Sequence, residues 1–197
     1  MAGGRKRWLI AIAAAGGLAI CAWAALSDGS LSERAHLAAR WTVRWSVWWF
    51  LAAFAARPLH QAFGGIWSAW LRQRRYIGLG FATAHGIHAL AFSTLFLSTG
   101  DLPPVATLIG GAIAYPLILA MALTSNDAAQ RRLGRNWKRL HATGMWVLWV
   151  IFAVGYVRGA FKPDPWPLAA VLAVLLIGAA LLRIPAIRRL VATRRAA

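Results

Sequence analysis

The chain has 197 residues, 60% of them hydrophobic, with 12 Trp and only five acidic side chains against 22 Lys and Arg. An ordinary soluble domain is roughly 45–50% apolar, so this composition argues against a water-soluble globule and makes the lipid bilayer the solvent. A net charge of +17 would suggest a nucleic-acid partner in a soluble protein, so the position of the charge decides its meaning.

Crossing a hydrocarbon core takes about 20 apolar residues. Six stretches meet that length: 8–26, 37–56, 77–98, 104–124, 140–157 and 165–183. The connections are short, and no hydrophilic block is long enough to form a separate domain. The sequence therefore predicts an all-α polytopic membrane protein, a single six-helix bundle over 1–197. Basic residues collect on one side of it: Arg5, Lys6 and Arg7; Arg57, Arg72, Arg74 and Arg75; Arg131, Arg132, Arg135, Lys138 and Arg139; Arg183, Arg188, Arg189, Arg194 and Arg195. The other side holds Arg34, Arg158 and Lys162 with Asp28, Glu33, Asp101 and Asp164. That asymmetry places both termini in the cytoplasm. The charge orients the chain and grips anionic lipid, and nucleic acid is not needed to explain it.

The first span opens on basic residues and contains Ala22-Trp23-Ala24, which mimics a signal cleavage site. Its apolar run is longer than the 7–15 residues of a signal core, so it is expected to remain as an uncleaved anchor. The single cysteine, Cys21, lies within it, which leaves neither a disulfide nor a cysteine metal cluster.

The second span, LAARWTVRWSVWWFLAAFAA, carries Arg40 and Arg44 on one helical face, four residues apart. Both fall in its outer half. Arg40 is expected to snorkel to the headgroups along its aliphatic stem. Arg44 is deeper and stands between snorkelling and pairing with an anion such as a haem propionate. Trp41, Trp45, Trp48 and Trp49 are expected to pack and to form an interfacial belt. His36 reads as an interfacial residue, and His60 as a solvated residue of the following cytoplasmic loop; neither is expected to be a ligand.

The third span, IGLGFATAHGIHALAFSTLF, carries the most informative residues. An ionisable group near the bilayer centre costs at least ~2.5–3.5 kcal/mol unless protein or water surrounds it. His85 and His88 share one face, with Gly78, Phe81 and Phe92. Three readings are open: neutral imidazoles hydrogen-bonded to neighbouring helices, a metal site without a cofactor, or haem ligation. No carboxylate sits in any span to share a metal site. An apolar crevice with axial imidazoles is the usual way a bundle holds haem, and Gly78, Gly80, Gly86 and Gly144 could supply clearance. The spans hold no acid, base or nucleophile constellation, so hydrolysis and group transfer are not expected.

The segment before the fifth span, ALTSNDAAQRRLGRNWKRLH, ends on a third histidine, His141. Together with RWTVRWSVWWFLAAFAARPL and RRYIGLGFATAHGIH, it resembles the ferric-reductase-like transmembrane family. The similar type within it is the haem-binding membrane subunit of bacterial methionine-sulfoxide reductase systems, MsrQ or YedZ. The pairs Thr124-Ser125, Leu133-Gly134, Trp137-Lys138 and Leu140-His141 are in register. The resemblance spans roughly residues 40 to 160, and the first and last spans contribute hydrophobicity alone.

The resemblance implies a b-type haem protein of the bacterial inner membrane. Such a protein passes electrons from quinol or a flavin reductase to a periplasmic reductase subunit, with FMN or quinone as further cofactor candidates. It implies an electron-transfer subunit rather than a self-contained enzyme, since no nucleotide-binding loop or soluble flavin domain is present in the sequence. His88 and His141 match family ligands; His85 does not. The family pattern has another histidine thirteen residues after the one matched by His141, and here that position is Val154. If the basic collars are level, His88 lies about 20 Å beyond Arg75 and His141 only about 3 Å beyond Arg139, which would keep them from one iron. An offset of the helices, a weak ligand such as Met145, or a fold without full haem occupancy would resolve this. The favoured reading is one haem held by His141 with His85 or His88. The alternative from another class is a haem-free membrane scaffold or small transporter, to which Val154 points.

Overall fold

The computed structural model describes residues 7–162 and 167–185. The described chain is helical throughout, with no strand: α1 (Trp8–Leu26), α2 (Leu31–Phe63), α3 (Ile66–Arg72), α4 (Arg74–Thr99), α5 (Val105–Leu123), α6 (Asp127–Leu133), α7 (Arg135–Ala160) and α8 (Pro167–Leu181). Each expected span falls on a helix. Four of them, α1, α4, α5 and α7, are long and apolar enough to cross a membrane, as befits a multi-pass membrane protein.

The other two differ from that pattern for opposite reasons. Residues 37–56 lie inside the 33-residue α2, about 50 Å long at 1.5 Å per residue, whose arginines and tryptophans dilute its hydropathy. In contrast, α8 is apolar, and 15 of its residues are described, from Pro167 on. Two connections expected as loops are the short helices α3 and α6. Arg5, Lys6, Asp164, Arg188, Arg189, Arg194 and Arg195 lie outside the described residues.

Residues group into two compact units: 1–50 with 75–125, and 51–74 with 126–197. In the first, α2 starts on a reciprocal cap. Ser30 N donates to Glu33 Oε2 at 2.7 Å, and Glu33 N donates to Ser30 Oγ at 3.3 Å. This capping box satisfies two amides that a helix start leaves open. The Ser30 amide holds the exposed Glu33 carboxyl below its ordinary range. Trp45 Nε1 donates to Ala13 O at 2.9 Å, so its buried edge is satisfied against α1. Gly80 is not a clearance for a ligand: a Cβ there would meet Trp49 at 2.9 Å and Ala13 at 3.2 Å. Its missing side chain is what lets α4 approach Trp49. Phe50 and Phe81 meet edge-on at 5.4 Å in the core beside them.

The second unit is organised around Pro58, which stands inside α2. Proline has no N–H, so the carbonyl four residues earlier, Phe54 O, loses its helical donor. Arg183 Nη2 supplies one at 2.9 Å, with its guanidinium 3.8 Å over the Phe54 ring. The preceding carbonyls of Ala53 and Ala52 accept from Arg74 Nε and Trp70 Nε1, both at 3.0 Å. The helix therefore continues past the proline, and His60 is a residue of α2 rather than of a loop. Its Nδ1 lies 3.0 Å from Ser68 Oγ, and the ring is half-buried rather than solvated. Trp149 Nε1 donates to Leu176 O at 2.9 Å, tying α7 to α8.

The segment that carries the resemblance is shaped by two residues. Asn126 caps α6 by accepting from Ala129 N at 2.8 Å. Gly134, at φ 51°, ends α6 and begins α7. Only a residue without Cβ takes that left-handed turn cheaply, so Leu133-Gly134 sets where α7 starts and hence where His141 stands.

Candidate functional site

Thr42, Ser46 and His85 are the buried polar side chains among the described residues. All three belong to one cluster in the first unit. Thr42 and Ser46 are four apart on α2; His85 and His88 are three apart on α4, so each pair occupies a single helical face. Thr42 Oγ1 lies 3.2 Å from His88 Nδ1, and Ser46 Oγ lies 2.9 Å from His85 Nδ1. Because 42 meets 88 and 46 meets 85, the two helices run antiparallel at this point.

Aromatic rings complete the surroundings. His85 is flanked by Phe81 at 5.4 Å and by Tyr115 of α5 at 5.3 Å. The two imidazoles are 5.1 Å apart, and His88 continues to Phe92 at 6.0 Å. The row Phe81–His85–His88–Phe92 expected from spacing is therefore present. The rings are not equivalent: His85 is 6% exposed, while His88 keeps a partly open edge. Beside them on α4, a Cβ at Gly78 or Gly86 would meet nothing within 4 Å.

The hydroxyls were not singled out from the sequence. They sit in the same RWTVRWSVWW run as Arg40 and Arg44, offset by two residues. Two residues are 200° of helix, so the arginines and the hydroxyls occupy opposite faces of α2. Arg44 is half-buried with its guanidinium 4.6 Å over the Trp41 ring, on the face turned away from Thr42 and Ser46; Arg40 is exposed. His36 is exposed as well.

His141 belongs to the second unit. It is half-buried in the second turn of α7 and stacks on Trp137, one turn earlier, at 4.2 Å and 29°. Arg74 acts on it electrostatically. Met145, one turn further along the same face, is buried. Val154 is 52% exposed and lines an open apolar groove with Trp149, Val150, Ala153, Val157 and Ile177. Met145 and Val154 are nine residues apart, about two and a half turns, which is why the buried Met145 and Val154 look different ways.

No family model matches the chain, and no solved structure matches it. Curated proteins do. The chain is 33% identical over 117 residues to the protein-methionine-sulfoxide reductase heme-binding subunit MsrQ of Yersinia pseudotuberculosis (serotype O:1b, strain IP 31758), covering 54% of this chain and 56% of that protein. The MsrQ of Yersinia pestis (strain Pestoides F) matches at the same identity, with 55% of its length covered. The chain thus spans little more than half the length of the curated relatives it matches. The resemblance read from its motifs is to the same type of protein that these matches name.

Proposed function

We propose that this chain is a haem-binding membrane subunit of the MsrQ type, with six spans and both termini cytoplasmic in a bacterial inner membrane. It carries electrons from quinol or a flavin reductase to a reductase on the outer side and is not a self-contained enzyme. One b-type haem is the expected cofactor, with FMN or quinone as a further candidate. The observation that carries this reading is the α2–α4 cluster: two imidazoles on one helix face, flanked by Phe81, Phe92 and Tyr115. The similarity to proteins named as heme-binding subunits supports it.

The residues suit the group. Imidazole is a common ligand of b-type haem iron, and His88 keeps a partly open edge beside the aromatic rings of Phe92 and His85. In this proposal His88 of α4 and His141 of α7 would each be an iron-binding histidine. His85, the more buried ring, packs against His88 at 5.1 Å. Arg44 is proposed as a cation for an anionic group of the cofactor, on the strength of its partial burial. A bound haem would supply one-electron chemistry, and the chain would hold it, exclude water and set its potential.

A reduced-minus-oxidised visible spectrum of the purified membrane protein tests the proposal. A sharp b-type α band on dithionite reduction is the expected result. No band after expression with ample haem would leave the haem-free scaffold, the reading that the outward-facing Val154 favours.

A further inference from the structure

The Thr42 hydroxyl has one proton to give, and its position shows where that proton goes. Thr42 Oγ1 lies 2.6 Å from Ala38 O, one turn back on its own helix. At that separation two acceptors would repel, so the proton lies between them. The oxygen can then only accept from a third partner. The third partner is His88 Nδ1, which must carry the hydrogen. The other carbonyl near the hydroxyl, Ala39 O at 3.3 Å, can likewise only accept.

Ser46 repeats the arrangement one turn along. Its Oγ donates to Val43 O at 2.8 Å and faces His85 Nδ1 at 2.9 Å. Side-chain hydroxyls that bond back to their own helix normally have no further consequence. In this helix two of them, in register with two imidazoles, dictate which ring nitrogen is protonated.

We propose that Thr42 is a positioning residue: by accepting from Nδ1–H it fixes the tautomer and ring orientation of His88 and leaves the Nε2 lone pair directed away from α2, toward iron. This rests on the haem-binding reading above. Ser46 holds His85 in the same tautomer, and the near-complete burial of that ring between Phe81, Tyr115 and His88 assigns it to support. A ligand histidine that donates its second N–H is a stronger base, and losing the acceptor typically lowers metal affinity about 10–100-fold. A more basic imidazole favours ferric over ferrous iron, so the hydroxyl also holds the potential down.

The test uses the full chain in nanodiscs, as wild type, Thr42→Val and Thr42→Ser. Thr42→Val keeps the buried shape and removes the acceptor. It is expected to weaken haem binding about 10-fold or more and to raise the midpoint potential, while Thr42→Ser restores both. Selective 15N labelling of histidine in haem-free wild type is expected to show His88 protonated at Nδ1 and bare at Nε2. Unchanged affinity and potential in Thr42→Val, or an Nε2–H tautomer in the wild type, would overturn the proposal. If Thr42→Val does not insert, Thr42→Ser and the labelled wild type still decide it. A wild type that binds no haem would instead remove the functional reading, and the 15N spectrum would judge the tautomer by itself.

Discussion

The two units treat buried polar groups in different ways. In the second, four indole and guanidinium side chains donate to the backbone, Trp70, Arg74 and Arg183 to three consecutive carbonyls before Pro58 and Trp149 to Leu176, as Trp45 donates to Ala13 O in the first. The one imidazole–hydroxyl pair described in the second, His60 with Ser68, joins α2 to α3. Each repairs or braces a helix, and folding alone accounts for it. In the first, Thr42 and Ser46 receive from His88 and His85, after giving their own protons to α2. That arrangement braces no backbone. It orients imidazoles, and orientation of an imidazole at membrane depth has value chiefly if its other nitrogen is used. Placing a polar residue by what it repairs separates scaffold from site more sharply than counting charges in spans.

The largest test of this contrast is His88→Ala. It is expected to reduce bound haem by more than the 10–100-fold typical of losing an outer partner, with insertion intact. Pyridine haemochrome per mole of monodisperse protein measures it, and wild-type haem content would make His88 another scaffold residue. His141→Ala comes next and brings the second unit into the comparison. If one haem uses both histidines, this variant also loses it. Full haem in His141→Ala beside an empty His88→Ala would reduce His141 to a ring stacked on Trp137.

Arg183→Leu should act on stability alone. It removes the Arg183 donor from Phe54 O at Pro58, at a cost of about 1–3 kcal/mol, visible as a lowered unfolding midpoint in detergent. The absorption spectrum of whatever haem is bound should not move; a shifted spectrum would give the second unit's arginines a part in the site. The smallest effect is expected for the arginines on the far face of α2. Arg44→Leu should shift the haem potential modestly and Arg40→Leu not at all, as read by parallel redox titrations. Equal, negligible shifts would class both as snorkelling residues.

Much of this was legible in the sequence because hydropathy and helical period are strong signals. All six apolar stretches fall on helices, and the i, i+3 spacing alone put His85, His88, Phe81 and Phe92 in one row. His60 was placed in a loop because it lies beyond the apolar stretch 37–56, yet α2 continues through Pro58 to Phe63. The carbonyl that Pro58 frees is satisfied from a residue far along the chain, which no local rule can see. α6 could have been found from Asn126 as a cap and Gly134 as a stop, but its arginines suggested a solvated loop. Gly80 gave the wrong impression, since a small residue on the right helix clears space equally for a cofactor or for Trp49. Thr42 and Ser46 stayed hidden because a hydroxyl in a helix usually satisfies itself. Their significance lies in the second acceptor site of each oxygen, which depends on what the neighbouring helix brings to it.

The bond from Arg183 to Phe54 also sets an order of assembly. The two residues are 129 positions apart. Chains are made at roughly 5–20 residues per second, so the carbonyl opened by Pro58 waits on the order of 10 s before its donor has been synthesised. The first unit comprises residues 1–50 and 75–125, all synthesised well before then. For that interval the middle of α2 is an incomplete helix, dependent on water, lipid headgroups or the insertion machinery for its missing donor. A nascent chain stalled before Arg183 would hold Thr42, Ser46, His85 and His88 complete while Phe54 O still awaited the donor that Arg183 brings.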